Sequence, residues 1–211
     1  VLYQATQLSR LIRSSRPVTD EVAGLVARLA SELGLASVPR TRIVDAEFSP
    51  LVWCLGRQPV VLLPARLVEE LEAEALQAVL AHELTHIARH DHRVRQLEVL
   101  VTVLYWWHPV VWWVRRELRR VEEECCDAQV LRLLPESAPD YADALVRTVE
   151  FVQSGRHQRS ALASSRLGAA ALGSLSLASP LGRASHLRRR VEMILDERSR
   201  PRWTWSARLA V

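Results

Sequence analysis

No lysine occurs in the 211 residues, although Lys and Arg together number 28, so every one of those basic side chains is arginine. That absence removes the phosphate-gripping lysine of a P-loop and any lysine Schiff base from the chemistry open to this chain. Cysteine is nearly absent too, at three. Two of the three are the neighbours Cys125 and Cys126, which a helix cannot join without severe strain, so no disulfide framework is expected and a reducing compartment is favoured. Residues 1–16 are amphipathic and carry arginines but show no signal-peptide pattern. Nor is there a clean apolar span. The longest candidate, residues 97–114, contains Glu98, His108 and Pro109, which spoil it by charge, polarity and a helix break.

What is present is a hydrophobic fraction of 49%, enough to exclude disorder, in a chain of the size of one ordinary catalytic domain. Inside it stands His82-Glu83-Leu84-Thr85-His86, the HExxH pattern. Histidines four apart lie on one face of a helix and can bind one metal ion, for which zinc is the expected cofactor. Glu83 then flanks the open coordination position, where a general base must stand. The surrounding residues favour a helix: Glu72 and Glu74 fill the first turn, Ala and Leu the middle, and Arg89 the end. Leu76, Val79, Leu80 and Ile87 recur at helical spacing, so the helix should be buried, and its polar residues would be costly there without a partner.

A catalytic zinc needs a third protein ligand, and two candidates compete. His92 has the spacing of the HExxHxxGxxH zincins, but Arg89 occupies the position where their glycine turns the chain back. Glu123 lies in Val121-Glu122-Glu123-Glu124-Cys125-Cys126-Asp127. Its helical face also carries Asp127, which could accept a hydrogen bond from a ligand histidine and fix its tautomer. Glu122 and Glu124 are weaker alternatives, because ion pairs with Arg115, Arg116, Arg119 and Arg120 account for acids in that run.

With these motifs in view, the chain resembles the BlaR/MecR-type regulatory membrane metallopeptidases. The resemblance rests on the HExxH helix, on Trp106-Trp107-His108-Pro109-Val110-Val111-Trp112-Trp113, and on the segment from Glu123 to Cys126-Asp127. It also rests on the hairpin-like stretch 49–64 and on Leu187-Arg188-Arg189-Arg190-Val191-Glu192-Met193-Ile194-Leu195. It implies zinc held by His82, His86 and Glu123, Glu83 as catalytic base, and Asp127 supporting a ligand from behind. It also implies a protein substrate, a penicillinase-type transcriptional repressor or the protein's own chain, and a place at the cell membrane with this domain on the cytoplasmic side. A homodimer is compatible with that reading. One departure is the stretch Asp91-His92-Arg93-Val94-Arg95, where many members carry an Asn soon after the Asp.

The expected fold is α+β: a mainly helical zincin-like domain with a small sheet or hairpin edge beside the HExxH helix. Helices are expected over 19–33, 72–89, 94–107, 109–134 and 141–152, with extended runs at 42–45, 51–55 and 60–63 and a turn at Gly56-Arg57. The domain reading is a membrane-proximal segment 1–16, a peptidase domain 17–153, a flexible Ser/Ala/Gly-rich loop 154–182 and a basic helix 183–211 leading towards a membrane span. The aromatic cluster Tyr105, Trp106, Trp107, Trp112 and Trp113 is expected in the core first and at a membrane interface second.

A net charge of +4 with pI near 9.5 admits anionic partners. No stacking platform or recognition motif accompanies the arginines, so direct nucleic-acid binding is not expected. Two other classes remain beside the regulatory peptidase. One is a constitutive membrane quality-control peptidase of the HtpX/Ste24 kind, and the other is a non-enzymatic basic module that binds membranes.

Overall fold

The computed structural model describes residues 12–54, 58–163 and 180–196. In chain order the elements are β1 (Arg16–Pro17), α1 (Asp20–Glu32), β2 (Arg40–Val44), β3 (Leu51–Trp53) and β4 (Val60–Pro64). They continue with α2 (Ala65–Glu70), α3 (Ala73–Ala88), α4 (Asp91–Leu104), α5 (Pro109–Leu133), α6 (Ala138–Ala163) and α7 (Pro180–Leu195). The architecture is α+β: helices surround α3, and a four-stranded mixed sheet runs in the order β1-β2-β4-β3.

Helix α1 shows how local chemistry sets these elements. The Thr19 hydroxyl accepts a hydrogen bond from the Val22 amide at 3.4 Å, and Asp20 and Glu21 occupy the positive end of the helix. At the other end Gly34 takes φ +69°, letting its own amide reach Ser31 and the Leu35 amide reach Ala30. That pair of bonds is the Schellman closure, which needs a left-handed residue at this position. Val22, Val26, Leu29 and Ala30 then form the buried face.

The chain returns through β2 and β4, which pair in parallel, while β3 pairs antiparallel with β4 along Leu51–Leu62, Val52–Val61 and Trp53–Val60. The hairpin expected beside the HExxH helix is therefore present, with β3 at the sheet edge and in contact with α3. β4 is continuously apolar because both of its faces are covered; Val61, Leu62 and Leu63 are all buried. The turn at Gly56-Arg57 lies outside the described residues.

Helix α3 is central, packed by α1, α5 and α6 as well as the sheet edge. Its residues from Leu80 to Thr85 are buried without a break, including His82 and Glu83. Such a helix has no polar face for solvent, so its polar side chains must find partners inside.

Several expectations change. The helix after α3 begins at Asp91 rather than at 94, because His90 adopts φ 59° and turns the chain within two residues. Residues 154–163 do not begin a loop; they extend α6, as their Ala, Leu, Arg and Gln content favours, and the last helix starts at Pro180. Arg16, placed in a membrane-proximal segment, pairs with Ile43 as an edge of the sheet. Residues 1–11 of that segment, residues 164–179 of the Ser/Ala/Gly-rich stretch and the chain beyond 196 lie outside the described residues. No helix among the described residues is long and apolar enough to cross a membrane.

The aromatic cluster is not core. Trp106, Trp107 and Trp113 are 66%, 61% and 65% exposed, and Tyr105 and Trp112 about half. They sit where α4 and α5 turn into each other, beyond the helices that could cover them.

Candidate metal centre

The site begins with helical periodicity. His82 and His86 stand one turn apart on α3, their ring centroids 4.9 Å apart and their planes nearly perpendicular. Helix α5 crosses that face and presents Glu123, whose carboxylate reaches both imidazoles: Oε2 is 3.4 Å from His82 Nε2 and Oε1 is 3.9 Å from His86 Nε2. One ligand atom from each of His82, His86 and Glu123 can be chosen so that all lie within 4.8 Å of one another. Donors at about 2.0–2.1 Å from a tetrahedral zinc are spaced by roughly 3.3 Å, so the set is close to metal-binding geometry.

The opposite ring nitrogens are engaged, and that decides where the lone pairs point. Tyr141 Oη lies 2.8 Å from His82 Nδ1 and donates its own proton to Asp127 Oδ1. The phenol can therefore only accept from the histidine, which puts the His82 proton on Nδ1 and leaves Nε2 free to bind a cation. His86 Nδ1 is 2.7 Å from Asp91 Oδ2 in the same sense. In their neutral form both imidazoles would thus aim an unprotonated Nε2 at Glu123, the arrangement a zinc ion requires once it displaces the proton that His82 holds without a metal.

Arg190 closes the site from α7. Its Nε and Nη2 form a fork on the two oxygens of Asp127 at 2.7 Å each, and its Nη1 lies 3.0 Å from Glu123 Oε2. Asp127 is fully buried. Burial opposes its ionisation, but the arginine charge and the hydrogen bond with His82 win and hold the carboxyl at about 2. Glu123 is likewise held below the usual carboxylate range against burial, by the His82 hydrogen bond and Arg190. Burial would lower His82, yet hydrogen bonds to Asp127 and Glu123 lift it to about 9 in the absence of a metal. Glu83 goes the other way: buried on α3, its carboxyl is raised by desolvation, with the neighbouring histidines only partly opposing.

His92 is not among the metal-binding groups of the described residues. It lies in the first turn of α4, its ring 5.8 Å from that of His90, because the left-handed turn falls at His90 rather than at residue 89. Glu122 is buried against Arg95 at 3.1 Å, and Glu124 pairs with Arg120 and Arg189, so neither joins the triad. A second convergence, His86, Asp91 and Cys126, shares His86 with the first. There Asp91 is occupied by the imidazole and by Arg89, and burial pushes the Cys126 thiol up, away from the thiolate a metal would take.

A family model described as BlaR1 peptidase M56 matches residues 2–194. The chain belongs to the BlaR1 peptidase M56 family. Individual members align over shorter stretches. Regulatory protein BlaR1 of Bacillus licheniformis is 33% identical over 86 residues, 41% of this chain and 14% of that protein. The methicillin resistance mecR1 protein of Staphylococcus aureus is 29% identical over 86 residues, again 41% of this chain and 14% of its own length. A protease HtpX homolog of Moorella thermoacetica is 38% identical over 81 residues, 36% of this chain and 26% of that protein. The alignment with BlaR1 and mecR1 thus spans about a seventh of those proteins' lengths. Membership establishes a peptidase family.

Three residues around this candidate centre lay beyond sequence reasoning. Asp91 follows His86 by five positions and needed the turn at His90 to fold back onto it. Tyr141 comes from α6, and nothing in its local sequence distinguishes a phenol that bridges His82 and Asp127 from a core tyrosine. Arg190 looked like one of three equivalent juxtamembrane arginines. Leu187, Val191 and Ile194 pack on the core, and that periodicity was the available signal that position 190 also faces inward.

Proposed function

We propose that this chain is the zinc-dependent endopeptidase part, zincin-like in form, of a membrane-bound signalling protein. On this reading it cleaves a cytoplasmic transcriptional repressor, or its own chain, in response to a signal. The observation that carries the proposal is the convergence of His82 Nε2, His86 Nε2 and the Glu123 carboxylate, with both Nδ1 atoms tied back by hydrogen bonds. A zinc ion bound there would polarise the scissile carbonyl and stabilise its developing negative charge.

The chain's own residues supply the rest. Glu83, its carboxyl raised by burial, takes the proton of the attacking water and returns it to the leaving amine. His82 and His86 keep their orientation through the Tyr141–Asp127 pair and Asp91. Arg190 neutralises Asp127 and holds one Glu123 oxygen, so the carboxylate keeps its position between two imidazoles. The edge strand β3, beside α3, offers an extended substrate backbone hydrogen bonds that any peptide sequence can make.

The repressor substrate, the membrane location and the signal are proposed on the likeness to BlaR1, a regulatory protein, and mecR1, a methicillin resistance protein. The likeness to HtpX homologs favours a second reading, a constitutive quality-control peptidase using the same metal centre. Metal analysis of two purified variants tests the centre. Glu123→Ala is expected to lose stoichiometric zinc and His92→Ala to retain it; retention in the first with loss in the second would overturn the assignment. Incubation with a winged-helix repressor against an unfolded membrane protein then separates the two substrate readings.

A further inference from the structure

We propose that the tip of the α4–α5 hairpin is a lipid-docking surface that seats this domain on an anionic bilayer, with its aromatic rings in the interface and its arginines at headgroup level. The inference goes beyond the peptidase reading and does not depend on it. Residues 99–114 contain no Asp, Glu, Lys or Arg. Their apolar side chains face outwards: Val103 and Leu104 on α4, Trp113 on α5, and Trp106 and Trp107 in the turn are all more than half exposed. A contiguous patch of this kind marks an interaction site rather than ordinary surface.

Four observations point to lipid as the occupant. First, the charges begin abruptly below the tip and close its base. Glu98 on α4 is held by Arg115 at 2.6 Å and Arg119 at 3.0 Å from α5, so a sharp plane separates the apolar tip from ionic side chains. Secondly, the tip satisfies polar groups internally. The Trp112 indole N–H donates to the Trp106 carbonyl at 2.8 Å, Thr102 donates to the Glu98 carbonyl at 2.7 Å, and the Val110 amide donates to His108 Nδ1 at 3.3 Å. Donors spent this way cost nothing when water is withdrawn, as a bilayer demands.

Thirdly, the reach fits an interface and not a span. From Glu98 to Leu104, at about 1.5 Å per residue, the helix rises roughly 9 Å, against the ~5–10 Å depth of interfacial helices. Fourthly, the base is basic in excess: Arg93, Arg95, Arg115, Arg116, Arg119 and Arg120 stand against Glu98, Glu117, Glu122 and Glu124. Tryptophan and tyrosine beside arginine are what the headgroup region selects, and the arginines attract an anionic leaflet. Two copies meeting tip to tip would instead bring these arginine collars towards each other.

The test uses the 211-residue chain with Trp53→Phe, Trp203→Phe and Trp205→Phe, so that all remaining tryptophans lie in the hairpin. It is mixed with phosphatidylglycerol/phosphatidylethanolamine vesicles whose acyl chains carry bromine at either shallow or deep positions. The expected result is a blue-shifted emission, quenched more strongly by the shallow bromines. In the otherwise native chain, Trp106→Ser/Trp107→Ser/Trp113→Ser should weaken vesicle binding at least ~10-fold while zinc content and far-ultraviolet circular dichroism are unchanged. Vesicle binding without hairpin quenching would overturn the proposal. So would a lipid-free dimer, detected by sedimentation, in which the same tryptophans are shielded from acrylamide. Quenching does not require the serine variant to fold, so a misfolded variant leaves the first measurement decisive.

Discussion

Replacing Arg190 by Met probes whether α7 is part of the site or merely lies over it. The side chain is 18% exposed and makes two 2.7 Å bonds to a carboxylate with no solvent exposure. Removing it takes from the buried Asp127 its closest cation and leaves only His82 at 3.4 Å, and breaking such a buried pair usually costs about 3–5 kcal/mol. With a urea dependence of about 2 kcal/mol per molar, the unfolding midpoint of metal-stripped protein should fall by roughly 1.5–2.5 M at pH 5–6. The sign of the acid limb follows from Asp127. Its folded carboxyl is depressed from 3.8 to about 2, a difference of roughly 2 kcal/mol in favour of the native state. That stabilisation is fully present above the unfolded value near pH 4 and is lost as pH falls through 2. In Arg190→Met the part of the depression that the arginine supplies is lost and the His82 part remains, so the gap between the two proteins is widest above pH 4 and narrows below it. The double variant with Asp127→Asn should recover part of the loss, since no buried charge remains. Arg188, which pairs with Glu192 at the surface, is the control: Arg188→Met should leave the midpoint in place. Equal midpoints for Arg190→Met and Arg188→Met would refute the argument that the fork on Asp127 stabilises this fold.

Three further outcomes are expected. Glu83→Gln should keep zinc and fold while peptide-bond cleavage falls by about 10²- to 10⁴-fold, because an amide cannot take the water's proton; near-normal turnover removes Glu83 from the chemistry. Tyr141→Phe removes the hydroxyl between His82 and Asp127, so chelator competition should report zinc affinity weaker by ~10- to 100-fold, and unchanged affinity would make the phenol a core residue only. Gly34→Ala meets no steric neighbour but must hold φ +69°, so calorimetry should find the chain about 1 kcal/mol less stable, and an unchanged melting temperature would remove the strain argument.

The HExxH helix, the hairpin and the α+β class were legible in the sequence because each rests on local periodicity: apolar residues at helical spacing around His82, and short β-branched runs at 51–53 and 60–64. Glu123 and Asp127 were legible as a pair for the same reason. What escaped depends on tertiary closure. Asp91 reaches His86 only because His90 adopts a left-handed conformation, which an i, i+5 spacing does not reveal. Tyr141 and Arg190 arrive from separate helices, and no local pattern couples them to Asp127. The tryptophans were misjudged as core because an apolar run carries no information about whether anything covers it.

The chain of contacts from His82 through Tyr141 and Asp127 to Arg190 also sets a timetable. His82 and Arg190 are 108 residues apart (190 minus 82), so at about 5–20 residues per second a ribosome supplies the last member roughly 5–20 s after the first. For the last 63 residues of that interval (190 minus 127) both histidines, Glu123 and Asp127 have been made while Asp127 has no arginine, and burying its carboxylate opposes docking of α5 on α3. On the proposed reading, the metal centre is therefore completed only when α7 docks and Arg190 meets Asp127.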